Sequence, residues 1–287
     1  MLPARLVCLL SFTLLHGVSV AALQTVPLCQ GLSLDILPPA QRLQQPAPVV
    51  VVVHGGGWIG GSRQDYPELL QWLSQQGYVA AAAEYRLAPA ARFPAQIEDM
   101  KCVLGWLQQH AAQYGGDGKR MAGIGISAGA HLLALSQTTP GRWETTNTSP
   151  LRCAALHGAP LDLPAWWQTA DPDRQDMMSP RVMLKALTGA AYPQAAALYQ
   201  QASPQWQLDQ RDKIKRRKEA LPALLLIHGE QDQTVPLSQS QRFTASYQQA
   251  GGRADLMTLA DTGHIGFGAH SRSVAEKLRQ FLQTCTK

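Results

Sequence analysis

Ser127 stands between glycines in Gly125-Ile126-Ser127-Ala128-Gly129, after an apolar run and before a helical pattern. A serine hydroxyl is a weak nucleophile until a base takes its proton, and that base must itself be oriented by a third group. Two later segments offer those partners: Gly263-His264 for the base and His228-Gly229-Glu230-Gln231-Asp232 for the acid. Glu230 is the second candidate for the acid and His270 for the base. Acyl transfer also builds negative charge on a carbonyl oxygen, which needs N–H donors already in place. His54-Gly55-Gly56-Gly57-Trp58 supplies consecutive glycines whose amides no side chain obstructs. The chemistry these residues could perform together is nucleophilic acyl transfer.

Such groups work only if the chain brings them to one place. The unbroken run Val49 to Val53 ends in the glycine segment, and a strand without alternation is one covered on both faces. Further strands are predicted at Tyr78 to Ala83, Met121 to Ile126, Cys153 to Leu156, Leu221 to His228 and Ala254 to Leu259. Helices are predicted at Tyr66 to Gln76, from Ile97 to Ala111, over Ala128 to Leu135 and from about Ser273 to Thr284. Leu32 to Leu37 reads as an early, exposed strand. Alternating strands and helices imply a mostly parallel, doubly wound sheet. The interval from about 160 to 215 is too long for a connection and holds Trp166, Trp167, Tyr192 and Trp206. It is predicted to be a small helical cap.

Other functions compete for the same residues. Gly123-x-Gly125-x-x-Ala128 fits a relaxed dinucleotide fingerprint, but no acidic residue ending a strand follows about twenty positions on; 143–150 reads as a loop. Lys213 to Lys218 is the one basic run, without interleaved aromatics, and reads as a solvated loop rather than a nucleic-acid or membrane patch. His110, His131 and His157 show no metal-ligand spacing and read as surface or packing residues.

His54-Gly55-Gly56-Gly57-Trp58, Tyr85-Arg86-Leu87-Ala88-Pro89, Phe93-Pro94 and the serine segment, in this order, resemble the hormone-sensitive-lipase-like esterases. They resemble still more the related bacterial small esterases and the feruloyl-esterase-type and kynurenine-formamidase-type hydrolases. The likeness runs from about Leu32 to the C-terminus and weakens between 160 and 215. It implies an α/β-hydrolase fold: α/β, with a mostly parallel central sheet, helices on both faces and a small helical cap. The chain order serine, aspartate, histidine is the one this fold uses. By position it implies Ser127, Asp232 and His264 as the triad, and the amides of Gly56, Gly57 and Ala128 as the oxyanion hole. His54 would brace the glycine loop. The implied activity is hydrolysis of short acyl or aryl esters through an acyl-enzyme, with a small-molecule ester as partner and with no metal or organic cofactor. An arylformamidase-type amide hydrolase and an inactive binding protein of the same fold are the alternatives. Two positions depart from the family pattern: Ile126 stands before the serine, where an acidic, polar or small residue is common, and Gly129-Ala130 replaces a Gly-Gly pair.

The chain has 287 residues, 45% hydrophobic and 16% charged, with a net charge of +5. No apolar run is long enough to span a membrane. Residues 1–22 read as a signal peptide: Arg5, the apolar core Leu6 to Leu15, and a small-residue cleavage site near Val20-Ala21-Ala22. The remainder, 23–287, would then be the catalytic domain, secreted or periplasmic, with a charge of +4 after loss of Arg5. Four cysteines would remain, Cys29, Cys102, Cys153 and Cys285, which permit two disulfides in three pairings. Cys102 and Cys153 as buried, unpaired residues is the alternative.

Overall fold

The computed structural model describes residues 22–41, 43–143, 151–211, 221–266 and 270–287. The signal-peptide reading and the basic run at 213–218 fall almost wholly or wholly outside these residues.

In chain order the elements are β1 (Gln24–Pro27), β2 (Ser33–Leu37), β3 (Ala47–Val53), α1 (Pro67–Gln75), β4 (Val79–Ala83) and α2 (Ala95–His110). Then come β5 (Gly116–Ile126), α3 (Ala128–Thr138), β6 (Cys153–His157) and four helices: α4 (Leu163–Thr169), α5 (Pro180–Thr188), α6 (Tyr192–Gln201) and α7 (Pro204–Arg211). The chain continues through β7 (Ala223–Gly229), α8 (Leu237–Gln249), β8 (Ala254–Leu259) and α9 (Ser271–Cys285). The strands form one sheet in the order β1-β2-β4-β3-β5-β6-β7-β8. Pairing is antiparallel at β1–β2 and β2–β4 and parallel from β4 to β8.

The valine run of β3 shows why both faces are covered. Successive side chains of a strand point to opposite faces. Val49, Val51 and Val53 pack with Ile97, Met100, Leu104, Leu133 and Phe243 of α2, α3 and α8. Val50 and Val52 pack on the other face with Leu70, Leu73, Val274, Leu278 and Leu282 of α1 and α9. The spacing of the last three residues puts one apolar stripe of α9 against the sheet.

β2 is not the exposed strand that its sequence predicts. β1 lies outside it, and both its apolar and its polar faces are covered. Asp35, on the polar face, is buried against Arg63 and accepts the hydroxyl of Thr25 at 2.6 Å. β1 carries no apolar run of its own, so only its pairing reveals it. Two disulfides, Cys29–Cys102 and Cys153–Cys285, tie the N-terminal segment to α2 and α9 to β6. Cys102 and Cys153 are therefore paired, not free packing residues.

Because β3, β5, β6, β7 and β8 run parallel, their C-terminal ends share one edge of the sheet. There the glycine loop, the serine turn, His157, the acid loop and the histidine loop emerge together, at the edge where open α/β sheets bind ligands.

Candidate active site

β5 hands over to α3 at Ser127, whose backbone takes φ 51° and ψ −114°. A non-glycine residue there costs on the order of 1–3 kcal/mol and persists only when its surroundings fix it. The Ser127 amide donates to the His157 carbonyl at 2.7 Å, and the His131 amide donates to the Ser127 carbonyl at 3.0 Å. The flanking glycines admit the turn: a Cβ on Gly129 would overlap the Val53 carbonyl, and one on Gly125 would lie 2.5 Å from Ala130 Cα. Ile126 sits comfortably before the serine, buried in the core layer with Ile124 and Leu278.

Ser127 Oγ lies 2.9 Å from His264 Nε2, and His264 Nδ1 lies 2.6 Å from Asp232 Oδ2. An ionised carboxylate only accepts, so Nδ1 carries the proton and Nε2 is left to receive the serine's. Asp232 Oδ1 also accepts from the amides of Thr234 and Val235, each at 2.8 Å. Burial works against ionising this carboxyl, but the hydrogen bonds from His228 and His264 outweigh it and hold Asp232 well below the usual carboxylate range.

His228 is the residue that the sequence motif did not single out. Its Nε2 lies 3.1 Å from Asp232 Oδ2 and 2.8 Å from the Val235 carbonyl, while Nδ1 lies 2.8 Å from Ser240 Oγ. Both neighbours of Nε2 accept, so this nitrogen holds the proton and Ser240 donates to Nδ1.

The glycine loop passes directly beside the serine: a Cβ on Gly55 would lie 3.3 Å from Ser127 Cβ. Gly56 and Gly57 both have positive φ, 98° and 59°. Among the described residues, the amides of Gly56, Gly57 and Ala128 donate to no other protein group. His54 is buried, stacks on Tyr85 at 4.3 Å and donates from Nδ1 to the Gly55 carbonyl at 2.8 Å. Tyr85 donates to the carbonyls of His54 and Gly55 at 3.2 and 3.1 Å. Arg86, next in the chain, grips the buried Asp99 of α2 at 2.8 Å.

The BD-FAE family model matches residues 34–247, from β2 to α8. The chain belongs to the BD-FAE family. Esterase LipQ of Mycobacterium tuberculosis is 31% identical over 249 residues, which cover 82% of this chain and 55% of that protein. The chain spans about half the length of the curated relatives it matches. Among solved structures, a truncated carbohydrate esterase from gut microbiota superposes with a TM-score of 0.78 at 21% identity, covering 94% of this chain and 98% of the other. Esterase 2 of Thermogutta terrifontis with propionate bound gives 0.71 at 24% identity, covering 93% and 95%. The structural likenesses fix the fold as that of the α/β-hydrolases.

In this BD-FAE chain the rival candidates lie elsewhere. Glu230 is exposed and makes none of the contacts of Asp232. His270 bonds from Nε2 to the Ala260 carbonyl at 2.9 Å, just before α9. The strand that follows α3, β6, ends in His157 and not in the acid that a dinucleotide site needs. His157 is buried, and burial, followed by the neighbouring His264 and His228, pushes its pKa down to about 4. Among the described residues no group of three or more His, Cys, Asp or Glu is arranged to hold a metal ion, and no helix is long and apolar enough to cross a membrane.

Proposed function

We propose that this protein hydrolyses carboxylic esters of short acyl or aryl groups through an acyl-enzyme on Ser127. The observation that carries this reading is the continuous hydrogen-bonded chain from Ser127 Oγ through His264 to Asp232 Oδ2, beside a glycine loop with uncommitted amides. The ester carbonyl carbon is attacked by Ser127 Oγ as His264 Nε2 takes the hydroxyl proton. Asp232 holds the imidazole in the receptive tautomer and stabilises its cation. The amides of Gly56, Gly57 and Ala128 receive the oxyanion. Collapse of the tetrahedral adduct expels the alcohol, which leaves with the proton from His264. Water then attacks the acyl-enzyme, giving its proton to His264, and the acid departs as Oγ is reprotonated.

The names of LipQ and of the two structural neighbours support an ester as substrate, and the bound propionate of the Thermogutta enzyme supports a short acyl group. The helical segment 163–211 suits a fixed cap: Met183 of α5 packs on Gly57, and the Phe93 amide donates to the Leu187 carbonyl at 2.8 Å. We also propose that residues 1–22 are a cleaved export signal and that the protein works outside the cytoplasm. The two disulfides support this, since such bonds persist in oxidising compartments.

Ser127→Ala is expected to lower hydrolysis of p-nitrophenyl acetate and butyrate by at least about a thousandfold, with the circular dichroism spectrum unchanged. In a series from acetyl to octanoyl esters, plus feruloyl, turnover of straight chains is expected to fall beyond butyryl. Near-wild-type turnover by the folded variant would contradict the reading.

A further inference from the structure

His131 lies on α3, one helical turn beyond Ser127, and is fully buried. Its Nδ1 is 3.2 Å from Trp58 Nε1, and its Nε2 is 2.7 Å from the Ala202 carbonyl. An indole N–H can only donate and a carbonyl can only accept. One tautomer of neutral imidazole satisfies both, with the proton on Nε2; the cation would lose the bond from Trp58. Burial, only partly opposed by the bond to Ala202, pushes the pKa of His131 down to about 4, so the ring is neutral at working pH.

Both partners matter. Trp58 directly follows Gly56 and Gly57, and it holds φ 62°, a left-handed conformation that a bulky residue keeps only under constraint. Its ring is buried edge-on to His131 at 4.9 Å and to Trp166 of α4 at 6.3 Å, and its carbonyl accepts the Ala88 amide at 2.8 Å. Ala202 links α6 to α7 in the helical segment. His131 thus joins three separate pieces: the glycine loop, the helix that begins at Ser127, and the segment above them.

We propose that His131 is a positioning residue for the oxyanion hole: through Trp58 it fixes the amides of Gly56 and Gly57 relative to the amide of Ala128. The proposal rests on the ester-hydrolase reading above. The three donors come from two elements that share no continuous backbone, and an oxyanion gains from them only if their separation is set before the charge develops. Among the described residues, the His131–Trp58 bond is a side-chain link between the two elements, and it can set that separation.

The test uses the full chain with His131→Leu, His131→Gln and Trp58→Phe. It measures kcat and KM for p-nitrophenyl butyrate, affinity for a trifluoromethyl ketone that forms a tetrahedral adduct on the serine, and thermal stability. His131→Leu is expected to lower kcat by about tenfold or more with KM within about twofold, and ketone affinity is expected to fall with kcat/KM. His131→Gln, which keeps an acceptor and a donor, is expected to recover most of the loss. Trp58→Phe, which removes the N–H, is expected to lower kcat in the same manner. A folded His131→Leu variant with unchanged kcat and ketone affinity would overturn the proposal, as would a loss carried by KM alone. If His131→Leu does not fold, Trp58→Phe decides: unchanged kcat overturns the proposal and reduced kcat with unchanged KM supports it. Turnover that survives Ser127→Ala in the folded protein would instead overturn the hydrolase reading on Ser127, and this inference with it.

Discussion

Asp232 receives four hydrogen bonds, and only one of them comes from the histidine that faces Ser127. The two backbone amides fix Oδ1, while His228 shares Oδ2 with His264. Together these donors hold the carboxylate in place for His264. His228→Leu is expected to lower kcat by about tenfold with KM nearly unchanged, because Asp232 loses orientation and the buried partners of His228, Ser240 and the Val235 carbonyl, each lose a hydrogen bond. Steady-state kinetics of the variant checks this; a kcat within about twofold of wild type would contradict it.

At the scale of elements, the glycine loop and α5 press on each other. A Cβ on Gly57 would overlap the sulfur of Met183, and the glycine also holds φ 59°. The left-handed backbone costs an alanine only about 1–2 kcal/mol, so the clash, which moves the amide, is the larger effect. Gly57→Ala is expected to lower kcat by about a hundredfold, and Met183→Ala in the same chain is expected to restore more than half of that loss on a logarithmic scale. Steady-state kinetics of the single and double variants checks this. These contacts also mark where sequence reading stops. β3, β7 and the Met121–Ile126 half of β5 are legible because apolar runs end at turn residues, β8 only as a mixed stretch that Asp255 and Thr258 interrupt, and Ser127, Asp232 and His264 stand out because each follows a predicted strand. β1 is not legible, since Gln24 to Pro27 has no pattern until it pairs with β2. Nor are the partners of His131, His228 and Met183, because Trp58, Ser240 and Gly57 lie on other elements and only the folded chain brings them near.

Over the whole molecule, buried titrating groups set the response to acid. His131 and His157 hold pKa values near 4 in the fold against 6.5 for the free side chain. Between those limits the unfolded chain binds protons that the folded one refuses, so stability falls as pH drops from 6.5 toward about 4 and this contribution is level below it. A shift of this size is worth about 3 kcal/mol for each ring. Asp232 acts in the same direction at lower pH: its carboxyl stays ionised in the fold while unfolded carboxylates protonate, and stability is lost as pH falls below about 4. Tm is therefore expected to be level above pH 7 and to fall steeply toward pH 4, with a shallower fall in His131→Gln. Calorimetry across that range checks it, and a Tm independent of pH between 7 and 4 would contradict it.

The central claim, that Ser127 is the nucleophile, is tested most directly by mass spectrometry of the intact, folded protein after reaction with a fluorophosphonate. The expected result is a single adduct on the peptide carrying Ser127, absent from Ser127→Ala and slowed severely in His264→Ala. No adduct, or one on another residue, would contradict the account.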